Sequence, residues 1–387
     1  MPTSLDAAPV LVLHAPVGGG HKAAALALDE AGHASGHPVE VIDALAFAPR
    51  WFARAYVESH LMSTRFARPV YGAIFAASDW HDPVRDLLRG MVDRSVSERL
   101  ITHVLERHPA AVIATHFYPL FELGRLRLTG ELDAPLVAVV TDYVAHALWV
   151  APGVDVYCTA RDGAAADLLA LGVSPVAIVK TGIPVRSAFG ATRDWKEPCA
   201  GEPLRVLLTS GGFGVGPILK VLRSFRGVSN VELDVVCGNQ PSLVHRAARF
   251  VAREGIPATV TGFATDMPDR MSRSHVVIGK SGGLTMSECL ASGRPLVVVG
   301  ACPGQETQNL AVLEGWGAGI RARARGVGHL VRELADRGSL ASMAVAARAH
   351  SAPDAATRVW DVVTRRLSSR YLAAPIPLVV EKQLAPS

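Results

Sequence analysis

The sequence predicts an α/β protein built as two units of the same kind, and three observations carry that prediction. Short β-branched or leucine-rich runs alternate with longer alanine-rich stretches from one end of the chain to the other, as strand–helix–strand units on parallel sheets require. The order strand, glycine loop, helix occurs twice, as LVLHAPVGGGH at 11–21 and LLTSGGFGVGP at 207–217. The 387 residues also exceed what one hydrophobic core usually organises.

In the first half, strands are expected at 10–14, 39–42, 111–115, 136–141, 154–158 and 177–181. In the second half they are expected at 205–209, 231–237, 258–261, 276–278 and 295–299. Between the two sets lies an aperiodic, charged, proline-bearing stretch, read as a linker at 187–203. The domains are then 1–186 and 204–372, followed by a proline-rich, loosely ordered tail at 373–387. The expected architecture is two Rossmann-like domains with parallel sheets facing a central cleft.

Composition excludes several classes. Hydrophobic residues make up 49% and charged residues 19%, too apolar for disorder, and no apolar run of about 18 residues or more suggests a spanning helix. The apolar stretch 10–17 has no basic region before it and runs into glycines, so it reads as a first strand rather than a signal peptide. Five cysteines, with no CxxC pair, suggest reduced thiols in the cytosol and argue against a cysteine zinc site. Residues 1–190 hold 15 basic against 19 acidic side chains, and residues 191–387 hold 24 against 16. The basic second half suits a phosphorylated ligand or an anionic surface, although solvated arginine-rich helix faces account for it as well. No basic run with interleaved aromatics occurs there, which leaves nucleic-acid binding without support.

The glycine loops are the first candidate binding elements. Gly18, Gly19 and Gly20 lie between the first strand and an alanine-rich helix, where backbone amides can meet an oxygen-rich ligand. Their spacing fits neither GxGxxG nor a phosphate-binding GxxxxGK[ST] loop, and a purely structural turn is the alternative. His21, at the first helical positions, has no evident packing duty and is expected to face the cleft. The second loop, around Gly212 and Phe213, is equally able to cradle a diphosphate with its amides.

The richest passage is 276–319, VVIGKSGGLTMSECLASGRPLVVVGACPGQETQNLAVLEGWGAG. Gly282 and Gly283 open a helix whose unpaired amides and positive dipole end suit phosphate, with a hydroxyl from Ser281 or Thr285. Glu288 lies one turn beyond Leu284 on the same side, placed so that its carboxylate can accept both hydroxyls of a ribose. The next loop presents Gln305, Glu306 and Asn309 to the hydroxyls of a hexose. Each has a plain alternative as a solvated charge or loop polar group.

Taken together, these passages make the chain resemble the MurG-like glycosyltransferases of the GT-B fold, and among them the monogalactosyldiacylglycerol synthases and bacterial diacylglycerol glucosyltransferases. The resemblance spans about 10–365 and rests on GGGHKAA (18–24), ATHFYP (114–119), VTDYVAHALWV (140–150), TGIPVR (181–186), SGGFGVG (210–216), TGFATDMPDRM (261–271) and GKSGGLTMSECLASGRPLVVVGACPGQETQN (279–309). TDYVAHALW and PGQE favour the diacylglycerol branch. The resemblance implies a second domain that holds UDP-glucose or UDP-galactose, with Gly262 and Phe263 near the uracil and 281–285 near the diphosphate. It places Glu288 at the ribose, and Gln305 and Glu306 at the hexose. One departure is GKSGG, where many relatives have a proline before the glycines.

The acceptor side is read from 44–80, where Trp51, Phe52, Tyr56, Phe66, Tyr71, Phe75 and Trp80 stand among Arg50, Arg54, Arg65 and Arg68. Such a mixture suits a segment lying at a membrane interface, and an ordinary buried helix pair is the alternative. A comparable aromatic segment in the related enzymes favours membrane contact, and with it a diacylglycerol acceptor and a peripheral position on the cytoplasmic membrane face. Gly19, Gly20, His146 and Trp149 are further acceptor-side candidates, with a structural role equally open for the last two. Sugar transfer needs a base, for which His21 is the first choice; His116, Asp142 and His146 are alternatives, one of which could instead orient the base or hold the acceptor hydroxyl. No DxD-like motif stands in a suitable loop, so neither metal nor cofactor is expected. Direct displacement would invert the anomeric centre, as the resemblance implies. Competing readings are a UDP-sugar 2-epimerase, a transferase acting on a polyprenyl-linked cell-wall intermediate or a natural product, and a non-enzymatic sugar-nucleotide binding module.

Overall fold

The computed structural model describes residues 8–65, 94–191, 194–199 and 201–369. Two parallel sheets of six strands organise it. The first holds β1 (Val10–His14), β2 (Val39–Asp43), β3 (Ala111–Ala114), β4 (Leu136–Val139), β5 (Val156–Thr159) and β6 (Ile178–Lys180) in the order β2-β1-β3-β4-β5-β6. The second holds β7 (Leu204–Thr209), β8 (Val231–Val236), β9 (Ala258–Thr261), β10 (Val276–Gly279), β11 (Leu296–Val299) and β12 (Gly319–Ala322) in the order β12-β11-β10-β7-β8-β9. Inner strands such as β1, β3, β4, β5, β10 and β11 are buried along their whole length, because helices cover both faces; this is why they read as unbroken apolar runs.

The strand β12 escapes the sequence reading. Gly-Ile-Arg-Ala offers one large apolar residue, and the strand sits at an edge with Arg321 exposed. It is recruited by pairing with β11, from Leu296↔Gly319 to Val299↔Ala322.

The first sheet carries α1 (Gly20–Ala34), α2 (Arg50–Arg65), α3 (Arg94–Glu106), α4 (Leu120–Thr129) and α5 (Asp162–Ala170), with the short α6 (Ser187–Gly190) after it. The second carries α7 (Ile218–Arg223), α8 (Pro241–Glu254), α9 (Met267–Arg273), α10 (Gly283–Ala291), α11 (Gln305–Gly315), α12 (Val327–Asp336) and α13 (Ser339–Ala349). Helix α8 shows why these segments are helical. Proline occupies its first turn, Leu243, Ala247, Phe250 and Val251 repeat at helical spacing on the buried face, and Gly255 closes it in the left-handed conformation.

The last helix, α14 (Ala355–Ser369), follows the second unit in sequence but packs on the first sheet. Val359, Trp360 and Val363 join Val10, Val12, Leu28 and Ile113 in one core, and the Trp360 indole N–H donates to the Leu28 carbonyl at 2.8 Å. The sequence reading, which runs the second domain to 372, places this helix with the wrong sheet. Apolar periodicity marks a buried face without saying what buries it. Among the described residues, no helix is long and apolar enough to cross a membrane.

The strand order reverses between β1 and β3 in the first sheet and between β7 and β10 in the second. Loops leaving the carboxyl ends of strands at such a reversal diverge to opposite faces and open a crevice, where α/β folds bind ligands. Here the two crevices face each other.

Candidate active site

A cavity of about 430 Å3 lies between the sheets. The first domain lines it with Gly18 to His21 at the start of α1 and with Thr141 and Asp142 after β4. The second contributes Ser210 to Phe213 after β7, Phe263 after β9, Lys280 to Thr285 around the start of α10 with the exception of buried Ser281, and Gln305 and Glu306 at the start of α11. Helix α10 begins behind Gly282, whose lack of a side chain leaves the first amides uncapped. Helix α11 begins behind Gly304 at φ +95°, a conformation glycine adopts without strain.

Close backbone approach between the halves depends on glycine. A Cβ on Gly283 would lie 2.0 Å from the Thr141 carbonyl oxygen, whereas one on Gly19 would stand 3.5 Å from the Gly212 Cα, an ordinary contact. Part of the glycine-loop signal therefore serves the junction between the domains.

Residues 141–143 form a clasp onto the second domain. The Asp142 carboxylate accepts from Gln305 Nε2 at 2.9 Å and from Asn309 Nδ2 at 3.0 Å. Asn309 Oδ1 accepts the Tyr143 backbone N–H at 2.9 Å, while its Nδ2 also donates to the Ser281 carbonyl at 3.1 Å. The Ser287 hydroxyl donates to the Gly283 carbonyl at 2.7 Å, so it receives the Tyr143 hydroxyl at 2.8 Å. Burial pushes the Asp142 carboxyl up to about 6; the Asn309 hydrogen bond opposes this and the nearby Glu306 charge reinforces it.

His21 faces this clasp from α1. Its Nδ1 lies 2.7 Å from the Thr115 carbonyl oxygen and 3.0 Å from Thr141 Oγ1. A carbonyl only accepts, so the neutral ring carries its proton on Nδ1 and Nε2 becomes the basic nitrogen. His116 stands edge-on behind His21, ring centroids 4.5 Å apart, buried, with its own Nδ1 accepting the Tyr118 N–H at 2.9 Å.

On the second domain, Glu288 lines the cavity one turn into α10. Burial raises its carboxyl to about 7, against the pull of the Arg186 charge. Arg186 reaches across from the end of the first unit, donating to the Thr265 carbonyl at 3.0 Å. Glu306 is held on both oxygens, by Lys280 Nζ at 2.5 Å and by the Cys302 N–H at 2.7 Å. The Ser281 hydroxyl donates to the Glu306 carbonyl at 2.5 Å, tying the KSGG loop to the PGQE loop.

The cavity thus collects His21, Asp142, Gly19, Gly20, Gly212, Phe213, Phe263, Gly282, Gly283, Leu284, Thr285, Glu288, Gln305 and Glu306. It does not collect the remaining sequence candidates. Ser281 and Asn309 are fully buried and engaged within the protein, and Gly262 stands one residue outside the lining. His146 Nδ1 accepts the Leu148 N–H at 3.0 Å as a helix cap, and Trp149 is fully buried against Phe117. On α2, Phe52 packs in the core beside Tyr118 while Trp51 is 69% exposed. Phe66, Arg68, Tyr71, Phe75 and Trp80 lie outside the described residues.

Arg186, Lys280 and Thr141 are lining residues that the sequence reading passed over as candidates. Each lies inside a motif that carries the resemblance, VTDYVAHALWV, TGIPVR or GKSGG, and that was the available signal. Among the described residues, no group of three or more His, Cys, Asp or Glu side chains is arranged to hold a metal ion.

Comparison with known proteins follows the two-domain division. Residues 21–185 match the family model for monogalactosyldiacylglycerol (MGDG) synthase, and residues 218–358 match that of the glycosyltransferase family 28 C-terminal domain. A curated relative from Bacillus cytotoxicus, named processive diacylglycerol beta-glucosyltransferase, is 26% identical over 81% of this chain and 82% of its own length. One of the same name from Bacillus cereus is 28% identical over 58% of this chain, which spans 59% of that relative. Among solved structures, Acinetobacter baumannii MurG superposes with a TM-score of 0.61 at 20% identity, covering 92% of this chain and 99% of that one. Anabaena Alr3699/HepE in complex with UDP-glucose does so with a TM-score of 0.55 at 13% identity, covering 93% and 99%. These two likenesses establish the shared fold.

Proposed function

From a chain that belongs to the GT-B glycosyltransferases, joining an MGDG-synthase domain to a family 28 C-terminal domain, we propose transfer of a hexose from UDP-glucose or UDP-galactose to diacylglycerol with inversion. The observation that carries the reading is His21, oriented through Nδ1 by the Thr115 carbonyl, facing a second-domain wall of helix N-termini and Glu288 across one cavity. The named relatives support glucose as the first donor to test.

In this reading the two halves divide the labour. Glu288 accepts the ribose hydroxyls, and Gln305 and Glu306 meet the hexose. His21 Nε2 takes the proton of the acceptor hydroxyl as its oxygen attacks the anomeric carbon on the face away from UDP. The carbon–oxygen bond to the diphosphate breaks, and the electron pair leaves with UDP. Its negative charge is met by the first amides of α10, the 210–213 loop and Lys280, placed where charge develops. We propose that this suffices without a metal, and that EDTA leaves the rate unchanged. The exposed Trp51 beside Arg50 and Arg54 supports peripheral attachment to an anionic membrane, apolar ring inward and guanidinium groups at the headgroups.

The test is to incubate the purified chain with radiolabelled UDP-glucose or UDP-galactose and diacylglycerol vesicles, then to extract with chloroform. Label in the lipid phase is expected with one donor or both. Its absence with both donors overturns the proposal, and epimerised free sugar nucleotide replaces it with an isomerase. His21→Ala is expected to lower turnover about 100-fold or more while UDP still binds; turnover near that of the unsubstituted chain removes His21 as the base.

A further inference from the structure

Asp142 carries hydrogen bonds whose direction has a chemical consequence for the sugar. Both of its oxygens are taken across the domain junction, by Gln305 Nε2 at 2.9 Å and Asn309 Nδ2 at 3.0 Å. The Asn309 amide cannot turn over, since its oxygen meets a backbone N–H while its nitrogen meets a carboxylate and a carbonyl. Asp142 is therefore pinned on one side by a fixed donor. An ionised carboxylate has no proton to give, so it holds the Gln305 amide by its NH2 end. The carbonyl, Oε1, is then the end of Gln305 left for a ligand, on a residue that lines the cavity. A carbonyl accepts from a hydroxyl and repels a group that offers only lone pairs.

We propose that Asp142 is a positioning residue that fixes the polarity of Gln305, so that productive donor binding requires a hexose hydroxyl able to donate a hydrogen bond to Gln305 Oε1. This rests on the reading of the cavity as a UDP-hexose site, and it replaces the role of base that the sequence leaves open for Asp142. Because Asp142 comes from the first domain and Gln305 from the second, the polarity is set only while the clasp is made. Without the carboxylate the amide can present either end, and the site stops distinguishing a hydroxyl that donates from a substituent that only accepts.

The experiment compares binding of UDP, UDP-glucose and its 3-, 4- and 6-deoxy and deoxyfluoro analogues to the full chain, alongside steady-state kinetics with diacylglycerol vesicles. Fluorine accepts weakly and cannot donate. At one ring position the fluoro analogue is expected to bind as poorly as the deoxy one, about 10-fold or more below UDP-glucose, because a site built around a hydroxyl rejects its replacement. Asp142→Asn is expected to raise KM for UDP-glucose about 10-fold, change kcat less than about threefold, leave UDP affinity unchanged, and shrink the gap between hydroxyl and fluorine. Gln305→Met keeps the Asp142–Asn309 contact and is expected to abolish the same discrimination, which guards against misfolding of the first variant. A loss in kcat of about 100-fold at unchanged KM for Asp142→Asn, equal weakening of UDP and UDP-glucose, or intact discrimination in Gln305→Met each overturns the inference. Failure of UDP to bind the unsubstituted chain instead overturns the donor-site reading beneath it.

Discussion

Glu288 shows how a single side chain can serve a site and weaken a fold. Its carboxyl ionises at about 7 in the folded chain, against 4.5 ordinarily, because burial disfavours the charge. Between those values the folded chain holds a proton that the unfolded chain has lost, so stability falls as pH rises through the window. The full difference amounts to up to about 3 kcal/mol above pH 7. Glu288→Gln is therefore expected to melt higher than the unsubstituted chain at pH 8 and equally at pH 4. In the same protein KM for the UDP-sugar is expected to rise about 10-fold, through loss of a charge-assisted hydrogen bond to ribose. Thermal denaturation at the two pH values, beside donor kinetics, checks both; a variant that melts lower at pH 8 contradicts the burial argument. Glu288 was legible in the sequence from its spacing after the glycines. The partners of Asp142 were not, since Gln305 and Asn309 lie 163 and 167 residues away and no local pattern encodes such a pairing.

At the scale of elements, the start of α10 has two duties that glycine alone reconciles. Its first residues line the cavity, and the first of them also packs against the backbone of the opposite domain. Gly283→Ala sets a methyl 2.0 Å from the Thr141 carbonyl oxygen, between two backbones that cannot yield locally. The domains must separate by about 1 Å, stretching the Tyr143–Ser287 and Asp142–Asn309 contacts, and a misplacement of that size costs about 100-fold in rate. The expected result is a fall in kcat with UDP affinity held within a few-fold, since α10 itself stays folded. Unchanged kcat means that the junction opens before chemistry. The glycine pattern is plain in the sequence, where ligand binding and a structural turn are its two readings; close contact between the domains is in neither. Strands were legible even at the edges β2, β6 and β9, and β12 was lost because Gly-Ile-Arg-Ala is short and carries one large apolar residue. His146 and Trp149, for which the sequence leaves acceptor contact and a structural role equally open, cap a short helix and fill the core of the first domain.

For the whole molecule, the return of α14 decides what counts as a domain. The first sheet is incomplete without a helix encoded after the second, so the two units cannot be separated by cutting the chain at 187–203. Truncation after residue 353 is expected to expose Val10, Leu28 and Ile113 and to destabilise the first unit by several kcal/mol, on the order of 2 per large side chain uncovered. Loss of soluble expression, or a first melting transition well below the second in calorimetry, reports this; a truncated chain that melts like the intact one excludes it. The charge asymmetry seen in the sequence survives this exchange only in part, since α14 takes its arginines to the first unit.

Because of that return, the polypeptide passes between the units twice, and the two passages touch. A Cβ on Gly182 would meet Ala352 at 2.5 Å, and one on Gly190 would meet Pro353 at 2.7 Å. Two crossings bundled at one point tie the halves together beside the clasp, where Gly182, Ile183, His350 and Ala352 line a small cavity with Tyr143 and Ser287. The halves are not free to drift apart or to slide past each other. The register of the two cavity walls is therefore held by chain connectivity as well as by the Tyr143–Ser287 and Asp142–Asn309 contacts.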